Sequence, residues 1–171
     1  MVNDIEDEMT PYLTPLERIR VINHILFGVH GLNRCKLNNP DASYINSAFE
    51  SKKGNSTLLG IIYLAIAQHF KLPICGINLP KNFLLGYQDI ETSEILFYIN
   101  PAAKGMVLGF AEISHFLFQI NYLPKAHYFL PCTYNDMIER LILNLVDSYH
   151  HTNDGAKIND LQHLHDLFQE R

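Results

Sequence analysis

Cysteine is scarce in this chain, and the few present are badly placed for shared chemistry. Cys35, Cys75 and Cys132 are odd in number and far apart, with no Cys-x-x-Cys pair, so neither a zinc knuckle nor a dithiol redox motif is encoded. Free cysteines of this kind fit a reducing cytoplasm. Basic clustering is also missing. Lys and Arg are scattered and the formal net charge is -5, which leaves no stripe for phosphates and makes nucleic acid an unsuitable partner. No uninterrupted apolar run reaches the roughly 20 residues of a membrane span. The first eight residues are acidic, without the positive and apolar regions of a secretory signal; they are expected to be an exposed lead-in.

What is present is core material. Hydrophobic residues make up 47% of the 171 positions and charged residues 18%, enough for one packed domain and against disorder. The segment from Gly54 to Phe70 is apolar around its whole circumference and reads as the central helix, about 22 Å long at ~1.5 Å per residue. Gly54 is expected to end the preceding helix and Ser56 to cap this one. Burial is expected at Ile61, Ile62, Leu64 and Ala65. Leu72 and Pro73 stop it, because a residue before proline avoids the helical region.

Other local signals frame this helix. Thr14, Pro15 and Glu17 spell a capping box ahead of Ile19, Val21, Ile22, Ile25, Leu26 and Phe27. Residues 28–40 read as an irregular connection, followed by a short helix carrying Ile45, Ala48 and Phe49. Beyond Pro73, runs rich in branched and aromatic residues at 74–79, 83–87 and 95–99 read as three strands, the last two forming an antiparallel hairpin across the polar turn 89–94. Residues 110–120 have helical spacing. Thr133 caps a further helix with Ile138, Leu141, Ile142 and Leu145 on one face, 153–155 break it, and a last helix follows.

Candidate chemistry is thin. Ser56 at a helix start would favour an anion or nucleophile by position, yet the polar residues at the nearby strand ends are Asn78, Asn82 and Asn100, and amides do not take protons near neutral pH. Of the nine histidines, His163 and His165 lie about 200° apart on a helix and cannot share an ion. His150 and His151 suit a helix C-terminus. His24 and His30 flank the end of the first predicted helix. Cys75 opens an apolar strand, where a cysteine acts as a small hydrophobe. No metal and no cofactor are expected.

Several stretches together carry a family likeness: Asn23–Phe27 (NHILF), Asn39–Tyr44 (NPDASY), Gly54–Leu64 (GNSTLLGIIYL), Leu72–Pro80 (LPICGINLP), Phe83–Leu85 (FLL) and Tyr98–Pro101 (YINP). In order and spacing they resemble the SirB-type branch of the transglutaminase-like superfamily, from about Leu16 to Gly105. The C-terminal hairpin resembles the tetratricopeptide-like tail common there. The resemblance implies an α+β, papain-like or transglutaminase-like core, with a central buried helix packed on a small antiparallel sheet, plus a C-terminal helical hairpin. It divides the chain into residues 1–131 and a hairpin at 132–171 packed on them.

The same resemblance assigns the triad. Active relatives place cysteine at the helix start, histidine at the next-but-one strand and aspartate after the third, and these positions fall on Ser56, Asn82 and Asn100. The SirB-type branch usually has proline for the cysteine and often keeps the histidine, which this chain lacks as well. A thiol works there because a helix N-terminus and an imidazole lower its pKa; serine without a base has no such route, and asparagine neither accepts the proton nor steadies an imidazolium. The expectation is a non-catalytic domain that binds a protein, another protein or a second copy of itself, and neither nucleic acid nor membrane. The alternative is a thiol- or serine-dependent amidase or peptidase-like hydrolase, using Ser56 or Cys75 with His24 or His30 as base.

Overall fold

A computed structural model describes residues 1–35 and 39–169. The part of the predicted 28–40 connection at 36–38, and the last two residues of the C-terminal hairpin, lie outside the described residues. The chain opens with helix α1 (Val2–Glu8) and continues through α2 (Pro15–Asn23), which passes into a π-helical turn at His24–Val29. Short strand β1 (Asn33–Arg34), a 3-10 turn at Pro40–Ser43, helix α3 (Ile45–Ser51) and strand β2 (Lys53–Gly54) lead into α4 (Ser56–His69). Strands β3 (Ile74–Ile77), β4 (Leu84–Gln88), β5 (Ile95–Asn100) and β6 (Met106–Leu108) follow. Helices α5 (Phe110–Gln119), α6 (Tyr134–Thr152) and α7 (Gly155–Gln169) complete the described chain.

The α+β class read from the sequence is correct. Strands β3 to β6 form one antiparallel meander in the order β3-β4-β5-β6, with Leu85 opposite Ile99 and Ile99 opposite Val107. Both faces of this sheet are covered. Phe83, Leu85, Tyr87 and Ile99 join the core around α4, while Leu84 and Tyr98 turn the other way to pack with Ile113 and Leu117 of α5. That two-sided burial is why β4 reads as an almost unbroken apolar run instead of an alternating one. Helix and sheet approach closely where Gly60 meets Phe83: a Cβ added at Gly60 would lie 2.5 Å from the ring.

Local stop and start signals hold. Thr14 accepts from the Glu17 N–H, the Glu17 side chain returns to the Thr14 N–H, and Pro15 occupies the first turn. Thr133 and Asp136 build the same box on α6, and Asn153, left-handed at φ 56°, ends that helix.

Five expectations need correction. The acidic N-terminus is no exposed lead-in, because it folds as α1 and buries Ile5 completely. Gly54 does not end α3; Lys52 does, in the left-handed conformation, and Gly54 pairs in parallel with Arg34. Asn55, not Ser56, caps α4, its Oδ1 accepting from the Leu58 N–H at 2.8 Å. The strand β6 was not foreseen, since three residues between two glycines carry too little pattern to declare themselves. Finally, α4 is not wrapped on every side: Ile62 and Leu64 are buried, Ile61 is half-buried and Ala65 is exposed.

Helix α6 lies against the outer side of α4 and against the 3-10 turn at Pro40–Ser43. Met137, Ile142 and Leu145 are buried and Leu141 is half-buried, whereas Ile138, expected on the same face, is 46% exposed. Its tyrosine hydroxyls also tie it to the rest of the chain, Tyr149 to Tyr44 at 3.0 Å and Tyr134 to Gln68 of α4 at 2.7 Å. Helix α7 packs back on α6, where His165 and Gln169 both hydrogen-bond Glu139.

Candidate functional site

The site is built around the first turn of α4. Because Asn55 supplies the cap, its side chain is fully used: Oδ1 takes the Leu58 N–H, and Nδ2 donates to Ser43 Oγ at 2.7 Å. Ser56, next in line, therefore has a hydroxyl with no capping task. It is 6% exposed, and among the described residues no hydrogen bond or ion pair engages its Oγ. A helix start leaves its first N–H groups without intrahelical acceptors, and this end of α4 faces a pocket of about 440 Å³.

Three elements enclose that pocket. Ser56 forms one wall, Asn78 and Lys81 from the β3–β4 connection another, and α6 the third, through Arg140, Leu143 and Asn144 with Asp136, Glu139 and Asp147 alongside. The spacing 136, 139, 140, 143, 144, 147 is one face of a helix. Three hydrogen bonds hold this face in place. Asn144 Nδ2 donates to Thr57 Oγ1 at 2.9 Å, and Arg140 Nη1 donates to the Leu79 carbonyl at 2.8 Å and to Asn78 Oδ1.

The electrostatics are uneven. Burial holds the Arg140 guanidinium below its ordinary pKa, and among the described residues no carboxylate lies within ion-pair distance of it. Two of the acids are committed elsewhere: Asp136 receives the Thr133 N–H and hydroxyl, and Glu139 receives His165 Nε2 at 3.0 Å. Asp147 is exposed and has no such partner among the described residues.

Of the three triad positions, only Ser56 lines the pocket. Asn82 Oδ1 accepts its neighbour's N–H, from Phe83, at 3.0 Å, and Asn100 Oδ1 accepts from the Ala102 N–H at 3.1 Å, capping the 3-10 turn that follows β5. No hydrogen bond joins the three among the described residues. The bases considered for a hydrolase are occupied or apart. His30 Nε2 sits 2.6 Å from Asp4 Oδ2, tying the π-helical turn to α1, and the exposed His24 makes no hydrogen bond to Ser56 or Cys75. The Cys75 thiol donates to the Gly86 carbonyl at 3.5 Å and burial pushes it up to about 11, as it does Cys132. Neither thiol is appreciably ionised at neutral pH.

Arg140, Lys81 and Asn144 went unnoticed in the sequence. Each looks like an ordinary polar residue of a solvated face or loop, and only the docking of α6 on α4 turns Arg140 and Asn144 inward.

The transglutaminase-like superfamily profile matches residues 1–143, and the chain belongs to that superfamily. A UPF0162 protein of Xylella fastidiosa strain 9a5c is 25% identical over 158 residues, covering 82% of this chain and 52% of the relative. A second UPF0162 protein, from Xylella fastidiosa strain Temecula1 / ATCC 700964, is 32% identical over 103 residues, 59% of this chain and 35% of the relative. The chain thus spans about half, or less, of the curated relatives it matches. No solved structure matches it. Among the described residues no helix is long and apolar enough to cross a membrane.

Proposed function

We propose that this chain is a non-catalytic transglutaminase-like domain of the SirB-type branch that acts as a binding module in the cytoplasm, with the α6–α7 hairpin as a tetratricopeptide-like element. The observation that carries the reading is the state of the three triad positions. Ser56 has a hydroxyl with no base bonded to it among the described residues, and Asn82 and Asn100 spend their side chains on adjacent backbone. General-base catalysis needs a proton acceptor within hydrogen-bond reach of the nucleophile. Helix α6, bonded to Thr57 and Leu79 across the first turn of α4, supports a retained cleft used for binding. The expected partner is a protein, another one or a second copy.

The test is an assay of the purified protein against amide, ester and primary-amine substrates, beside Ser56→Ala. No turnover above background is expected from either. Turnover that disappears in Ser56→Ala would establish the serine hydrolase alternative and remove this reading.

A further inference from the structure

The pocket beside Ser56 combines features that point to one kind of ligand. Its wall holds Ser56, a residue only 6% exposed whose hydroxyl opens on the pocket and has no partner among the described residues. That hydroxyl stands on the first turn of a fourteen-residue helix, where the backbone favours negative charge. Opposite, Arg140 brings a guanidinium whose Nη1 bonds only the neutral acceptors of Asn78 and Leu79, and Lys81 adds an ammonium on the same side chain lining. A half-buried cation whose hydrogen bonds go only to neutral acceptors keeps an unmet charge, and a carboxylate is the group whose geometry a guanidinium fork matches. The volume, about 440 Å³, is in the range of small-molecule sites.

We propose that this pocket binds a small monocarboxylate, its charged oxygens received by Ser56, the first turn of α4 and Arg140, with Lys81 at the entrance. The assignment rests on the non-catalytic reading and deepens it by naming the ligand chemistry. A single negative charge fits better than two. Asp136, Glu139 and Asp147 also line the pocket, so a phosphate dianion would meet roughly twice the repulsion that a single carboxylate meets there. Two sources share this chemistry: a free organic acid, or the C-terminal carboxylate of a peptide.

Binding is measured on the whole protein by calorimetry or amide chemical shifts, with acetate, acetyl-trialanine as the free acid, its C-terminal amide, and inorganic phosphate as probes. The free acid should bind, and the amide and phosphate should bind at least about tenfold more weakly, the scale of hydrogen bonds to a charged group. Acetate matching the peptide would indicate a free acid as ligand; a much tighter peptide would indicate a chain terminus. Ser56→Ala and Lys81→Gln should each weaken the free acid with melting temperature unchanged, and Arg140→Gln should weaken it most. Equal binding of acid and amide, no binding of any carboxylate at millimolar concentration, or binding indifferent to all three substitutions overturns the proposal. Conversion of the amide probe to the acid, lost in Ser56→Ala, overturns the non-catalytic reading instead, and the acid's own binding still decides the pocket.

Discussion

Asn144 on α6 donates a 2.9 Å hydrogen bond to Thr57 in the first turn of α4, joining residues 87 positions apart in the chain. Thr57 is fully buried, so this contact attaches the C-terminal hairpin to the first turn of the central helix, and the one from Arg140 to the Leu79 carbonyl attaches it to the β3–β4 connection. Helix α6 is therefore part of the site's wall, and its stability and the site's shape are coupled.

Arg140→Met is expected to destabilise the protein by about 1.5–3 kcal/mol, the scale of a hydrogen bond to a charged group, because the Leu79 carbonyl loses its charged donor, keeping only the Asn82 N–H at 3.2 Å, and Asn78 Oδ1 loses the same guanidinium. Chemical denaturation checks this. A loss below about 0.5 kcal/mol, the usual scale of a surface change, would mean that Arg140 is not holding α6 down.

The two faces of α4 should respond differently. Ile62→Ala is expected to cost about 2–5 kcal/mol by leaving a cavity under α4, whereas Ala65→Ser on the exposed face should stay within about 0.5 kcal/mol. Equal effects in denaturant titrations would contradict the burial difference between 5% at Ile62 and the open position of Ala65.

Gly60→Ala pits two effects against each other. Alanine improves helix propensity by about 1 kcal/mol, but the added methyl would meet the fully buried Phe83 ring at 2.5 Å, and overpacking typically costs about 1–3 kcal/mol. A lower melting temperature is expected. A rise would show that the ring yields freely.

Thiol reactivity tests the triad positions. In Ser56→Cys, Asn82→His, Asn100→Asp, alkylation at neutral pH followed by mass spectrometry should find position 56 modified first, since a helix start and an imidazole lower a thiol pKa. Cys75 and Cys132, both pushed up to about 11 by burial, should lag. If position 56 reacts no faster than in Ser56→Cys alone, Asn82 does not stand where a base would need to be.

At the N-terminus, hydrogen bonds from the terminal amine and from His30 hold the Asp4 carboxyl below its ordinary 3.8. A depressed carboxylate contributes stability that is fully present above the ordinary value and vanishes as pH falls through the lower, folded one. Acid titration should therefore release α1 below about pH 4, seen as faster amide exchange around Ile5, and Asp4→Asn should remove that pH dependence. Unchanged exchange across this window would show that the Asp4 contacts do not hold α1.

The chain's local signals were legible because their physics acts over three or four residues. The Thr14–Glu17 and Thr133–Asp136 boxes, the stop at Pro73, the 89–94 turn and the apolar character of α4 all follow from backbone groups meeting side chains a turn away. Composition and motif order also carried the α+β class. Tertiary structure decided what depends on distant partners. Ile5 is buried because α2 and the rest of the core close over it, and β6 exists because β5 offers it an edge. Whether Ser56 caps or stands free depended on Asn55, which Ser43, twelve residues earlier, holds in the capping geometry. The pocket depended on α6 turning Arg140 and Asn144 toward a helix more than 80 residues upstream. Local sequence sets backbone preference within a turn or two, and only packing brings together side chains whose separation along the chain carries no signal of their contact.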